Sequence, residues 1–444
     1  MKLCRFPTLF FMLLLALMPS CKRKKVRSAY ACKPISWDMQ GDSAGEQPKK
    51  KVLIISSIGG GAHTAACRAI RQYVGDQYHI ASVNMFSEIM RPLDPFRFFS
   101  PTYSTEHLYN DLLSRQYVFL VETYAMLGRA SFRWMPGTLD ELIEQFIDDN
   151  KPDVVISVIG WINGSIYRVA KKRNIPFGII PCDLDVRNYC NDLYKPDYEK
   201  FIFGLSFDDK DIREHTKAIK VSEERTRYIG FPVRPEFLEK KGYDTAKIKK
   251  DFAIPEGKKV VMVLMGSAGS GATVRYAKTC AEMKAEDCPF PLHLILCLGK
   301  NERLRATIEA IKFPQNVSVS IIGFTDRIAD LMRVSDLLIT KAGPASVCEA
   351  LCIGVPMIID HTQPILWWEQ MNIDFVKDHG FGDELKRIRK LPKMLKHYLS
   401  DDSELIEIRE RMNTFVFPDV VNNVRQMLAD LVALVEENKD TRDI

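Results

Sequence analysis

His63 is the side chain in this sequence that is best suited to moving a proton. It follows residues 57–62, SIGGGA, which come directly after the apolar run of residues 52–56. This pattern predicts a buried strand, a glycine-rich turn that leaves room for a ligand, and a helix. A histidine near a helix N-terminus has a lowered pKa, so a neutral imidazole accepts a proton near pH 7. A histidine that only caps its helix is the alternative.

A second segment, residues 337–360, predicts an anion site. Its sequence, LLITKAGPASVCEALCIGVPMIID, indicates a strand, a Gly-Pro turn, a short helix and another strand. Gly343 lets the backbone approach a ligand, and Pro344 suits the first helical turn. Unpaired amides at the positive helix end favour a phosphate, while the carboxylate of Glu349 can accept hydrogen bonds from two sugar hydroxyls. Together these features predict a nucleotide site.

Residues 266–271, GSAGSG, form another glycine-rich turn after an apolar strand. With the turn at Gly343, they give two loops able to donate backbone N–H groups to a diphosphate. A purely structural chain reversal is the alternative for both loops. The consecutive glycines before His63 do not form a G-x-G-x-x-G pattern, which disfavours a dinucleotide oxidoreductase. The lack of a G-K-S/T sequence excludes a P-loop.

Alternating apolar strands and helical segments surround these turns and predict an α/β fold with parallel sheets. A polar stretch, residues 238–258, separates two such series and is the predicted linker between two Rossmann-like halves. Strands are expected at 52–57, 153–159, 177–181, 200–205, 259–265, 292–298, 317–322, 335–340 and 355–359, and helices at 62–75, 106–128, 139–150, 165–174, 301–312 and 327–334.

Composition agrees with a globular protein of two domains. The chain has 444 residues, 46% of them hydrophobic and 27% charged. A net charge of +5 permits an anionic partner, and no motif indicates nucleic acid. The 11 cysteines are scattered without a C-x-x-C pair, which indicates a reducing environment for the main body and no metal site.

The N-terminal residues 1–27 differ from the rest. An apolar run at 6–18 has the length of a signal-peptide core and is short for a bilayer span. The basic residues at 22–27 oppose export of the downstream chain, so we expect a membrane anchor that leaves the protein on the cytoplasmic face, with residues 28–49 as a tether. An exported lipoprotein, modified at Cys21, and a wrongly assigned start codon are the alternatives.

Five motifs together resemble the family of monogalactosyldiacylglycerol synthases and processive diacylglycerol glucosyltransferases, which is glycosyltransferase family 28-like. The lipid-II-forming N-acetylglucosaminyltransferase is a more distant resemblance. The motifs are residues 57–70 with the glycine turn, 230–237 (GFPVRPEF), 266–271, 323–326 (GFTD) and 341–356.

The resemblance implies a GT-B architecture, in which two Rossmann-like domains face each other across a cleft. Residues 50–237 would form the acceptor domain that faces the membrane, 259–402 the UDP-sugar domain, and 403–444 C-terminal helices that pack back across the domains or lie free. It also implies inverting transfer of a hexose from UDP-glucose or UDP-galactose to a lipid hydroxyl. Diacylglycerol is the acceptor that the resemblance favours. Amides at residues 343–346 and 266–271 would stabilise the departing diphosphate, so no metal or other cofactor is expected.

Site residues follow from the same resemblance. His63 is the first candidate for the catalytic base and Asp183 the second. A solvated helix carboxylate is the alternative for Glu369, and an interdomain salt bridge is the alternative for Arg234. The expected donor-binding residues are Gly266, Ser267, Gly269, Gly323, Phe324, Lys341, Gly343, Pro344, Ala345, Glu349, Glu369 and Asn372, and those on the acceptor side are Gly60, Gly61 and Arg234.

The acceptor region departs most from the family. Asn188 and Asn191 stand where the family has His and Trp, so the acceptor pocket differs and the sequence does not identify the acceptor. Residues 85–136 are rich in aromatic and basic side chains and suggest contact with an anionic membrane surface, with ordinary helix packing as the alternative. A catalytically weak UDP-sugar sensor at the membrane and transfer of N-acetylglucosamine to a polyprenyl-linked acceptor are the alternative functions.

Overall fold

A computed structural model of the chain describes residues 35–38, 49–75, 77–134, 136–240 and 242–440. The predicted anchor at 1–27 and most of the predicted tether lie outside these residues. Within the described ranges, no helix combines the length and the apolar character needed to cross a membrane.

Two parallel six-stranded sheets form the framework. The first has the order β2-β1-β3-β4-β5-β6 and the second the order β12-β11-β10-β7-β8-β9. Apolar runs such as residues 52–55 are fully buried, as expected for parallel strands covered on both faces. The strands are β1 Lys51–Ser56, β2 His79–Asn84, β3 Val154–Ser157, β4 Phe177–Ile179, β5 Phe201–Leu205, β6 Thr226–Tyr228, β7 Lys259–Leu264, β8 Leu292–Gly299, β9 Val317–Gly323, β10 Leu337–Lys341, β11 Met357–Asp360 and β12 Gly382–Leu385.

Helices connect successive strands and cover the sheets. They are α1 Ala62–Val74, α2 Thr105–Ser114, α3 Val118–Trp134, α4 Pro136–Asn150, α5 Asn163–Arg173, α6 Lys210–Ile219, α7 Pro235–Leu238, α8 Thr245–Asp251, α9 Ala272–Ala281, α10 Arg305–Glu309, α11 Ile328–Arg333, α12 Pro344–Ile353, α13 Gln370–Asp378, α14 Leu391–Ser400, α15 Ser403–Thr414 and α16 Val420–Asp440.

Strand order places the predicted loops where ligands bind in such sheets. The order reverses between β1 and β3 in the first sheet and between β7 and β10 in the second. Open α/β sheets bind ligands beyond the carboxyl ends of the strands at these switch points. The turn before His63 follows β1, the 266–271 turn follows β7, and the turn at Gly343 follows β10.

The C-terminal helix α16 returns from the second half to pack on the first sheet, so it does not lie free. A Cβ built on Gly178 of β4 would lie 2.8 Å from Met427 Cε and 2.9 Å from Leu431 Cδ1. Arg425 Nε donates to Tyr73 O at 2.7 Å, at the end of α1. The helix therefore ties the two halves together.

One sequence-based expectation is corrected. The single helix expected at 106–128 is wrong, because the chain breaks into α2 and α3 at Gln116, whose φ of +61° is left-handed. The polar stretch 238–258 contains α8, where the Asp244 side chain accepts from Lys247 N, and its role as a linker stays a prediction. The boundaries given for the domains stay predictions.

Candidate active site

The glycine-rich loops of the two halves face each other across a cleft. A Cβ built on Gly61 would come within 3.1 Å of Ser267 Oγ. Gln116 Nε2 also donates to Ser270 Oγ at 3.3 Å. Helix α1 begins after Gly61 and α12 after Gly343, and among the described residues no side chain caps either helix. Two helix N-termini are thus available to an anion in the same region.

Glu106 of α2 fixes the first glycine loop, and sequence reasoning missed it. Its Oε1 accepts hydrogen bonds from Ser57 Oγ at 2.5 Å, Ile58 N at 2.6 Å and Gly59 N at 3.2 Å. Its Oε2 accepts from Asn84 Nδ2 at 2.8 Å. Because a carboxylate offers several acceptor sites, this one side chain holds three consecutive residues of the loop.

Asn110 supports the same loop from the next turn of α2. Its Oδ1 accepts from Gly60 N at 2.9 Å and its Nδ2 donates to Ile58 O at 2.8 Å. Glu106 and Asn110 are four residues apart and therefore share a helix face. That polar spacing is the only signal in the sequence that could have indicated their role.

His63 has the geometry of a proton acceptor. Its Nδ1 lies 2.8 Å from Val158 O, and a carbonyl only accepts, so Nδ1 carries the proton and Nε2 keeps its lone pair. Cys182 Sγ lies 2.9 Å from the same nitrogen. Burial lowers the pKa of His63 from its usual value, which keeps the ring neutral at pH 7. The helix-capping alternative is not observed, since no side chain in the described part of the chain caps α1.

Asp183, the second candidate base, lines the same cavity as His63. Its Oδ1 is buried and has no hydrogen-bond partner within the described part of the chain. Burial raises the pKa of Asp183 well above its usual value, and the charges of Glu369 and Asp185 raise it further. Asp183 therefore holds a proton more readily than an ordinary aspartate.

The cavity that contains His63 and Asp183 lies between the two halves. Polar groups occupy one part of it, including Ser57, Glu106 and Asn188. Aromatic side chains form most of the remaining wall, and one of them comes from the second half. These are Phe86, Tyr109, Tyr124, Trp161, Tyr189 and Trp368. Such a cavity suits a ligand that joins a hydroxyl to an apolar body.

Lys341 brings several predicted donor-site residues together. A Cβ on Gly266 or Gly343 would lie 3.3 or 3.1 Å from Lys341 Cε. Its Nζ lies 3.5 Å from Glu369 Oε1, and the Glu369 side chain is only 12% exposed. The solvated-carboxylate alternative for Glu369 is therefore wrong. Glu369 lies beside the donor-side loops, which are the turns at residues 266–271 and 341–344.

Gly269 is required by its surroundings. Its φ is +74°, and a Cβ there would meet Leu298 O at 1.9 Å. At the end of β9, Gly323 precedes Phe324, a residue that is 56% exposed and whose ring centroid lies 5.4 Å from Lys300 Nζ. The predicted contact of Gly323 and Phe324 with a base stays a prediction.

Glu349 and Arg234 form an ion pair between the halves. Arg234 Nη2 lies 3.3 Å from Glu349 Oε1, and its Nη1 lies 3.1 Å from Glu236 Oε1. Burial raises the pKa of Glu349 to about 7, although Arg234 acts in the opposite direction. The alternative given for Arg234, an interdomain salt bridge, is what the structure contains.

Asn372 occupies a different position from the one expected. It is fully buried, and its Nδ2 donates to Ala342 O at 2.8 Å. It therefore holds the turn between Lys341 and Gly343 rather than lining the cleft. Pro344 and Ala345 form the first turn of α12, as the sequence indicated.

Comparison with known proteins shows which proteins this chain resembles. Residues 260–359 match the glycosyltransferase family 28 C-terminal domain. The processive diacylglycerol beta-glucosyltransferase of Bacillus subtilis (strain 168) is 22% identical over 396 residues, covering 86% of this chain and 95% of that protein. A probable chloroplastic monogalactosyldiacylglycerol synthase of Glycine max is 23% identical over 412 residues, covering 87% of this chain and 72% of that protein.

Among solved structures, MurG of Acinetobacter baumannii has a TM-score of 0.55 at 14% identity, covering 88% of this chain and all of that one. That likeness shows the fold, which is GT-B. The family resemblance, the fold class and the prediction of a glycosyltransferase are confirmed.

Replacing Glu106 by Ala removes the support of the first glycine loop. Since misplacement of a reacting group by about 1 Å costs on the order of a hundredfold in rate, we expect kcat to fall by about that factor. The dissociation constant for UDP should change little, because the donor-side loops are untouched. Steady-state kinetics and calorimetry measure the two quantities. Glu214→Ala, at an exposed carboxylate, is the control, and a Glu106→Ala enzyme with normal kcat would contradict the assignment.

Proposed function

We propose that this chain, a glycosyltransferase with a family 28 C-terminal domain, moves a hexose from UDP-glucose or UDP-galactose to the hydroxyl of diacylglycerol. The observation that carries the proposal is the cavity lined by His63 and Asp183, which lies against the facing glycine loops. The relatives named as diacylglycerol glucosyltransferase and monogalactosyldiacylglycerol synthase support this acceptor class.

The donor would bind along the second half. Its diphosphate would accept hydrogen bonds from the first-turn amides of α12 and from the 266–271 loop. The ribose hydroxyls would donate to Glu349, in exchange for part of its contact with Arg234. Lys341 and Glu369 would flank the hexose, and the backbone near Gly323 would hold uracil.

The reaction then needs one proton acceptor and one stabilised leaving group. The acceptor oxygen attacks the anomeric carbon from the face opposite UDP while His63 Nε2 takes the hydroxyl proton. The bond between that carbon and the diphosphate oxygen breaks, and UDP leaves with the electron pair. The attack inverts the configuration at the anomeric carbon, and the helix amides meet the charge that develops on the diphosphate.

Access for a lipid is supported by helix α3. Val121 and Ala125 are buried against the second half. Phe119 and Met126 on the same helix are 77% and 64% exposed, and Arg129 is exposed as well. Exposed apolar side chains accompanied by a cation suit an anionic membrane surface, and we place the enzyme on the cytoplasmic side of it.

The function is tested with the full chain, a labelled UDP-sugar, and vesicles of diacylglycerol and anionic phospholipid. We expect labelled monoglycosyldiacylglycerol from UDP-glucose or UDP-galactose. His63→Ala should lower kcat by about 10²- to 10⁴-fold, because a general base usually accelerates a reaction by that factor. The variant should leave the dissociation constant for UDP nearly unchanged. His397→Ala, at a side chain 62% exposed, is the matched control.

Two outcomes would redirect the proposal. UDP binding without product from any donor would point to a UDP-sugar sensor. Product formed only from UDP-N-acetylglucosamine and a polyprenyl-linked acceptor would show that the enzyme uses the alternative donor and acceptor. Normal turnover by the His63→Ala variant would contradict the assignment of His63 as the catalytic base, but not the proposed reaction.

We also propose that turnover needs no metal ion. The helix amides and Lys341 supply the positive potential that a divalent cation provides in other enzymes. Rates measured after EDTA treatment should therefore equal untreated rates. Loss of activity that Mg²⁺ or Mn²⁺ restores would contradict this part of the proposal.

The pH dependence of donor binding should differ from that of kcat. Glu349 has a pKa of about 7, so its carboxylate fraction falls as pH drops below that value. UDP affinity should weaken by roughly tenfold per pH unit below 7, since the ribose hydroxyls bind the charged form better. The lowered pKa of His63 keeps kcat nearly constant until the pH falls below 6.5.

Calorimetry between pH 5.5 and 8 measures this separation. Glu349→Gln should flatten the affinity profile, and whatever slope it retains belongs to titration of UDP itself. An identical slope in wild type and Glu349→Gln would exclude Glu349 as the ribose acceptor.

A further inference from the structure

Two adjacent tryptophans in the second half have different surroundings. Trp367 and Trp368 lie in a short 3₁₀ turn immediately before α13. Trp368 is 7% exposed and lines the cavity that contains His63 and Asp183. Trp367 is 40% exposed, and its ring lies 4.8 Å from the guanidinium of Arg187.

Trp368 packs against the first half. Its ring lies 6.0 Å from the ring of Trp161 in an edge-to-face arrangement, at an interplanar angle of 82°. With Val121, Ala125 and Leu366 it forms a small buried apolar cluster between the halves. Edge-to-face pairs add to the free energy of burial, so the position of this ring is well defined.

The same turn also reaches the donor-side loops. The backbone N–H of Trp367 donates to Glu122 Oε1 of α3 at 2.9 Å, which holds the turn against the first half. Glu369, directly after Trp368, lies 3.5 Å from Lys341 Nζ. Consecutive residues therefore contact the acceptor-side cavity and the donor-side loops.

We propose that Trp368 is a specificity-determining residue that contacts the apolar part of the acceptor next to the reacting hydroxyl. The inference rests on the proposed transfer to diacylglycerol. Because this wall of the cavity belongs to the donor half, the acceptor is recognised by both halves at once. The ring also occupies space that a bulkier acceptor, such as a diacylglycerol already carrying a hexose, would need.

Trp368→Ala and Trp367→Ala form a matched pair of variants. Each removes an aromatic contact between the halves, but only the first removes a wall of the cavity. We expect Trp368→Ala to lower kcat/KM for diacylglycerol about tenfold or more, since small apolar contacts in a pocket are worth that much. It should also raise the use of monoglycosyldiacylglycerol relative to diacylglycerol. Trp367→Ala should keep the wild-type ratio.

Three further measurements make the test decisive. UDP binding should stay near wild type in both variants, and thermal unfolding checks that each is folded. Trp368→Phe, which keeps a ring, should recover most of the activity toward diacylglycerol. Equal effects of Trp367→Ala and Trp368→Ala would assign both residues to docking of the halves and overturn the inference.

The inference and the proposed function fail in different ways. Wild-type enzyme that transfers to no glycerolipid would defeat the proposed function. Wild-type transfer combined with an unchanged acceptor ratio and unchanged kcat/KM in Trp368→Ala would overturn only the role of Trp368.

Discussion

The close approach of two glycine-rich loops is the constraint on which the site depends. Helix N-termini act on an anion only over short distances, so two halves that share one ligand must bring their backbones nearly into contact. A Cβ on Gly61 would lie 3.1 Å from Ser267 Oγ, which is closer than an ordinary contact, so Ser267 would have to shift by a few tenths of an ångström. A side chain at Gly61 would have to displace Ser267 Oγ, whereas a Cβ at Gly60 or Gly271 would meet nothing within 4 Å.

Holding the loops at that distance requires support from outside them. Glu106 and Asn110 fix the first loop through backbone hydrogen bonds, and Asn372 fixes the turn between Lys341 and Gly343. Glu106 is buried, and a buried carboxylate is costly unless its hydrogen bonds are made, so this side chain has little freedom to move. The result is a site built mainly from backbone groups, positioned by side chains that do not themselves react.

Local sequence was sufficient for the parts of the site that are local. The turn before His63, the turn at Gly343 and the strands before them follow from apolar runs and glycine or proline spacing over fewer than about 20 residues. Glu106 was missed because its partners lie 47 to 49 residues earlier in the chain. The break at Gln116 was missed because no glycine or proline marks it. Trp368 packs against Trp161 of the other half, and only the packed chain reveals that contact.

Carboxylates are crowded along the cleft, and their partners decide how it responds to ligands. Burial, and then the charge of Glu369, raises the pKa of Asp183, while the Nζ of Lys341 lies 3.5 Å from Glu369 Oε1 on the side of the donor-side loops. Arg234 partly offsets the effect of burial on the pKa of Glu349, so under the proposed function a ribose that bound Glu349 would compete with an existing ion pair. Such competition would lower the affinity for UDP but give selectivity, because a ligand without paired hydroxyls would leave Glu349 with Arg234. The Arg234–Glu349 ion pair joins the two halves, and under the proposed function it would also discriminate among donors.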